Sequence, residues 1–334
     1  MNVEEAIGWQ STPAGPRHTN PLLQLLPSGP GWVCSLSLRG DQCRSPYCRT
    51  ADYAGKSAFS QEEIYNMPFT LSHTVAAIPL KKQLGQYGCL SALFIGAMVP
   101  DFVYMFPQDF VRYHGLTSHS FIGLFKVCLP IGVIFFYLYH LLMAPVIVAV
   151  FPESLKRKLP RHLSLGQCPP LNNGHAIIIS LLIGSVTHIV WDAFTHERAI
   201  PQYIELLRTP LATIDNWEIM PFRVIQHLST VLGLMLLLWW IWRWYCETPA
   251  IDKIAWQPTA LVRKITLAIL VLIPTVVGLY FAYTNTPDNK VLFGLHDLQL
   301  GLKFGIVSGA IALIITSSIL GIFYQWILFR QRPH

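Results

Sequence analysis

The chain has 334 residues, 13% of them charged and 52% apolar, with a formal net charge of +6. A mean hydropathy of +0.43 excludes an ordinary soluble domain, and it assigns the excess of Lys and Arg to membrane-flanking loops rather than to a nucleic-acid surface. The expected surroundings are a lipid bilayer, and no nucleic-acid partner is expected.

Residues 1–66 are rich in Pro, Gly, Ser and Arg, show no helical period and hold no long apolar run. They read as a disordered extension, and no basic segment followed by an apolar core marks a signal peptide. Cys34, Cys43 and Cys48 lie here without a CxxC pair, so no zinc knuckle is expected. An ordered pattern begins abruptly in MPFTLSHTVAAIPLKK, which makes Met67 a candidate for the true start.

Apolar segments follow at about 69–80, 88–106, 121–149, 175–194, 228–246, 262–283 and 303–328. The first is shorter than the roughly 20 residues that span a bilayer. The expected fold is therefore all-α, a polytopic transmembrane helix bundle of six spans plus a short first helix or half-span. The membrane domain covers 67–330, with a motif-bearing core at 67–247 and two further transmembrane helices at 248–330. Pro130 and Pro145 predict a kink or an interfacial ending in segment 121–149. Lys81, Lys82, Lys156, Arg157, Lys158, Arg161, Lys253, Arg263, Lys264, Arg330 and Arg332 fall on one side, which the positive-inside rule makes cytoplasmic, together with the C-terminus. Trp239, Trp240, Trp242 and Trp244 then form an aromatic belt at the inner interface.

Polar residues that do not suit a bilayer gather on the opposite side. Asp101 ends GAMVPDFVYMF, His114 and His119 lie in RYHGLTSHS, and His227 opens the fifth span in RVIQHLSTVLG. His188, Asp192 and His196 run through HIVWDAFTH, and His73 in TLSHTVAAIPL joins them if the short segment runs inward to Lys81. An Asp at a helix centre costs about 2.5–3.5 kcal/mol on insertion scales, so several such groups at one depth need a reason. Imidazole and carboxylate are ligands for a divalent metal, zinc first and manganese or iron next. His140 and His175 lack a carboxylate at helical spacing and read as ordinary core residues. Residues four apart share a helix face, but His188 and His196 lie roughly 12 Å apart along a regular helix. They cannot both ligate one ion while the helix stays regular, so either two metals are bound, or one of His188, Asp192 and His196 supports a ligand from behind or meets substrate. Pro100 also leaves the Gly96 carbonyl without its helical donor, opening the backbone beside the site.

The motifs MPFTLSH, IGAMVPDF, HSFIGLF, THIVWDAFTH and IQHLSTVLGL follow in order at 67–73, 95–102, 119–125, 187–196 and 225–234. Together they resemble the bacterial multipass membrane family termed domain of unknown function 4184, strongly over 67–247 and more loosely beyond. The resemblance implies the bacterial cell (inner) membrane. The pattern is also similar to that of membrane-bound metal-dependent hydrolases. That analogy gives His73, Asp101, His119, His188 and Asp192 as metal ligands, with His196 and His227 as catalytic residues.

A metal-dependent hydrolase acting at the outer face on a lipid or lipid-linked phosphate is the leading expectation. The alternatives are a transporter or proton-coupled permease, and a non-catalytic structural membrane protein. HExxH, GxSxG and P-loop motifs are absent from the sequence, which excludes the commonest soluble chemistries.

Overall fold

The computed structural model describes residues 70–169, 174–196, 204–214, 217–251, 258–286 and 295–330. The expectations for residues 1–66, for Met67 as a start and for Cys34, Cys43 and Cys48 lie outside them. A 3-10 turn, Thr70–His73, leads into α1, Thr74–Leu84. Next come α2, Leu90–Gly96, α3, Val99–Phe102, and α4, Gln108–Ser118. The long helices are α5 (Phe121–Val150), α6 (His175–Thr195), α7 (Pro221–Glu247), α8 (Ala260–Thr284) and α9 (Leu295–Arg330). An antiparallel hairpin, Ala212–Ile214 with Trp217–Ile219, precedes α7.

Five of these helices are long and apolar enough to cross a membrane. Their outward surfaces are apolar: Leu228, Leu232 and Leu236 on α7 and Leu272, Val276 and Leu279 on α8 are all exposed. Such stripes on otherwise packed helices are the surface a bilayer covers. Segment 88–106, expected as a sixth span, is not one helix. It breaks at Ala97 and Met98 into α2 and α3 and then a 3-10 turn, Val103–Met105. Hydropathy cannot see this break, because a broken and an unbroken helix have the same composition.

Proline shapes α5 as well. The helix stays continuous through two π turns, Leu124–Cys128 and Tyr139–Met143, instead of breaking at Pro130 and Pro145. Pro145 has no N–H for the Leu141 carbonyl. The Gln325 side chain of α9 donates to that carbonyl instead, at 2.7 Å. His140, in the second π turn, is buried with Nε2 2.8 Å from Ser91 Oγ. Among the tryptophans of α7, Trp240 packs on Phe94 while Trp239 and Trp242 are exposed.

The core that positions the polar residues is built from α2, α3, α5 and α6, where Val99, Phe102, Ile131, Phe136 and Leu181 pack together. The crossing of α2 and α6 is unusually close. A Cβ on Gly96 would meet the Leu181 carbonyl oxygen at 2.4 Å, and one on Gly184 would meet that of Leu93 at 2.4 Å. Only glycine permits this approach, and it brings Asp101 and His188 within reach of each other.

Candidate metal centre

The break in segment 88–106 is what allows α6 to bond to it. The N–H of Asp101 turns to the Met98 carbonyl, so it leaves the Ala97 carbonyl, and Pro100 leaves that of Gly96. Both carbonyls are taken up by α6: Ser185 Oγ donates to Gly96 at 3.0 Å, and His188 Nδ1 donates to Ala97 at 2.8 Å. A carbonyl can only accept, so the proton of His188 sits on Nδ1 and its Nε2 lone pair faces the other way.

The Nε2 of His188 faces two carboxylates, with Asp192 Oδ2 at 3.2 Å and Asp101 Oδ1 at 3.5 Å. It nevertheless makes no hydrogen bond, because neither oxygen lies where an Nε2–H would point. His119 closes the group from the turn after α4, its Nε2 3.4 Å from Asp101 Oδ1 and 3.5 Å from Asp192 Oδ2. Its Nδ1 lies 3.0 Å from Ser118 Oγ and 3.3 Å from the Gly115 carbonyl, and donating to either again turns the Nε2 lone pair inward. The turn is rigid: Ser120 Oγ accepts from the Gly123 N–H, and Cys128 Sγ donates to the Ser118 carbonyl. Thr70 Oγ1 donates to Asp101 Oδ2 at 2.7 Å, which leaves Oδ1 for the centre.

Two imidazole nitrogens and two carboxylate oxygens thus alternate around a ring. A tetrahedral ion with bonds of about 2.0–2.2 Å separates its donors by roughly 3.3–3.6 Å, and the four N···O edges here run from 3.2 to 3.5 Å. His188 and Asp192 are almost fully buried, and Asp101 is 8% exposed. Four electron-rich atoms converging in a dry place repel unless a cation sits among them. The donor set and its spacing fit a divalent metal.

His73 and His196 flank this group. His73 is 1% exposed, stacks on the His188 ring with centroids 4.3 Å apart, and packs on Trp191. The atoms that His73, His188 and Asp192 offer lie within 4.8 Å of one another, as do those of Asp101, His119 and His188. His196 follows the end of α6 in extended conformation, and its Nδ1 lies 3.3 Å from Asp192 Oδ1.

Of the residues singled out from the sequence, the structure gathers His73, Asp101, His119, His188, Asp192 and His196. It does not gather the other two. His114 packs on Phe110, and His227 is exposed on α7, about 100° around the helix from its neighbour Gln226. Gln226 is the residue that reaches the site, its side-chain amide 3.4 Å from His196 Nε2. Thr70 and Gln226 carried no sequence signal, since an isolated Thr or Gln in apolar sequence is unremarkable. Ser185 was foreshadowed only by the free Gly96 carbonyl it bonds.

An open, mainly apolar groove of about 450 Å³ lies beside the centre, lined by Ala76, Val190, Trp191, Phe194, Ile225 and neighbours. Trp191 is shared, forming a wall of the groove and packing against His73.

No curated protein and no solved structure matches the chain. A family described as a domain of unknown function matches residues 67–322, a range that contains every residue of the centre. This chain, an integral membrane protein, belongs to the family of domain of unknown function 4184.

Proposed function

We propose that this protein is a metal-dependent hydrolase of a lipid or lipid-linked phosphate, working at the outer face of a bacterial cell membrane with its C-terminus in the cytoplasm. The observation that carries the reading is the set of four inward-facing donors, Asp101 Oδ1, His119 Nε2, His188 Nε2 and Asp192 Oδ2, with edges of 3.2–3.5 Å. Zinc suits these edges best, and manganese or iron takes the same donors. A divalent ion held by these four residues would, on taking a fifth ligand, supply an activated water near neutral pH and a positive charge for a phosphoryl oxygen.

The chain's own residues do the rest. Ala97 and Gly115 fix the histidine tautomers through their carbonyls, and Thr70 orients the Asp101 carboxylate. The side chains of His119 and His196 are 24% and 26% exposed, so this edge is where an ester enters. The apolar groove beside Trp191 accepts a hydrocarbon chain while its phosphate lies at the centre. Basic loops at the far ends of the helices support an outer position for that centre under the positive-inside rule.

The test is hydrolysis of phospholipids and polyprenyl phosphates by detergent-purified protein. Turnover lost on chelation, restored by zinc or manganese, and absent in Asp101→Asn is the expected result. If folded, metal-loaded protein cleaves no phosphate ester in such a panel, the hydrolase reading is overturned.

A further inference from the structure

We propose that the centre is binuclear, with the Asp192 carboxylate bridging the ion described above to a second divalent cation held by His73 and His196; this rests on the metal reading of the first site. The two oxygens of Asp192 face different partners. Oδ2 lies against His119 and His188, whereas Oδ1 lies 3.3 Å from His196 Nδ1 and 4.0 Å from His73 Nδ1. Two metal bonds of about 2.1 Å span up to roughly 4.2 Å, so an ion on Oδ1 lies within reach of either histidine.

The second observation is His73 itself. It is almost fully buried, yet neither ring nitrogen has a hydrogen-bond partner, and Asp192 Oδ1 has none either. An unsatisfied buried polar group costs about 1–3 kcal/mol, and His73 Nδ1 and Asp192 Oδ1, facing each other at 4.0 Å, carry that cost together. Stacking on His188 and contact with Trp191 hold the His73 ring where it is, so its Nδ1 edge stays turned toward Asp192. A cation held there satisfies Nδ1 of His73, Oδ1 of Asp192 and Nδ1 of His196 at once. On binding, His196 exchanges its contact with Thr195 Oγ1, now 3.1 Å from Nδ1, for the ion; the Gln226 amide, whose Nε2 now lies 3.4 Å from His196 Nε2, turns so that its oxygen accepts from the Nε2–H.

The spacing of HIVWDAFTH then has a physical reason. Two turns separate His188 from His196, too far for one ion, and Asp192 midway serves both by giving one oxygen to each. Carboxylate-bridged ions lie about 3.5–4 Å apart, the separation that clamps the attacking and leaving oxygens of a phosphate ester. His196 thus meets the ester through an ion rather than as a free acid or base. Two divalent ions against two carboxylates leave a net positive site, which selects an anionic phosphate ester over a neutral carboxylic ester.

The test is metal content, with manganese electron paramagnetic resonance as a second readout, on detergent-purified protein loaded with manganese and desalted. Helix content and elution volume establish folding of each variant. Two ions per chain with a spin-coupled spectrum, falling to one ion with an isolated six-line spectrum in His73→Ala and in His196→Ala, is the expected result. His196, at the exposed rim, keeps the test open if His73→Ala does not fold. One ion per chain, unchanged in His196→Ala, overturns the second site while the first stands. No bound ion overturns both.

Discussion

Replacing Asp192 with Asn separates a metal centre from a hydrogen-bonded polar core, because only a metal centre makes the effect depend on zinc. Asp101 Oδ1 and Asp192 Oδ2 lie 3.5 and 3.2 Å from the same His188 nitrogen, so they are less than about 7 Å apart. At an effective dielectric of about 20, two such charges repel by roughly 2.5 kcal/mol, whereas a proton on His188 Nε2 attracts Asp192 Oδ2 by about 5 kcal/mol on the same scale. In metal-free protein the sign of Asp192→Asn therefore follows the His188 proton, and the chelated state serves as the reference. Metal-loaded protein loses stability: even a 100-fold drop in affinity, at an ion concentration 100 times the original Kd, removes most of about 2.7 kcal/mol of ligand stabilisation. The assay is thermal unfolding in detergent, with excess chelator and with saturating zinc. The expected result is a zinc-induced rise in Tm that is much smaller in Asp192→Asn than in the parent. If Asp192→Asn is less stable to a similar extent in chelator and in zinc, and zinc does not stabilise the parent, Asp192 is interhelical glue and the metal reasoning fails.

Thr70→Val removes the donor that turns Asp101 Oδ1 inward, and it lowers zinc affinity about 10–100-fold by competition against a chromogenic chelator; unchanged affinity would show that Thr70 plays no part in orienting the ligand. Gly184→Val forces α2 and α6 apart, since its Cβ would meet the Leu93 carbonyl at 2.4 Å. It should cost at least about 1–3 kcal/mol in thermal unfolding with or without metal, and parental stability would refute the close crossing. His227→Ala should leave metal content and affinity unchanged, because its side chain is exposed on α7; loss of an ion would place it in the centre.

Composition alone established a polytopic helical membrane protein, because 334 residues of this hydropathy have no other way to cover their apolar surface. The spacing of HIVWDAFTH and the positions of His73, Asp101 and His119 singled out the residues that the structure brings together, and Pro100 pointed to a free Gly96 carbonyl. What stayed hidden depended on geometry finer than hydropathy. The Ala97–Met98 break that offers two carbonyls to α6 leaves the residue composition of its segment unchanged. The choice between His227 and Gln226 is a rotation of about 100° on a helix that is apolar on most sides. The second π turn of α5, Tyr139–Met143, lies against α9, where Gln325 bonds the carbonyl that Pro145 leaves free.

X-ray absorption at the zinc edge of the protein, purified without chelator and reconstituted with zinc, tests the existence of the centre most directly. The expected spectrum has only nitrogen and oxygen neighbours at about 2.0–2.1 Å with imidazole outer-shell scattering, and that scattering weakens in His188→Ala. Protein that binds no zinc, or a spectrum that is the same in His188→Ala, would contradict a metal held between Asp101, His119, His188 and Asp192.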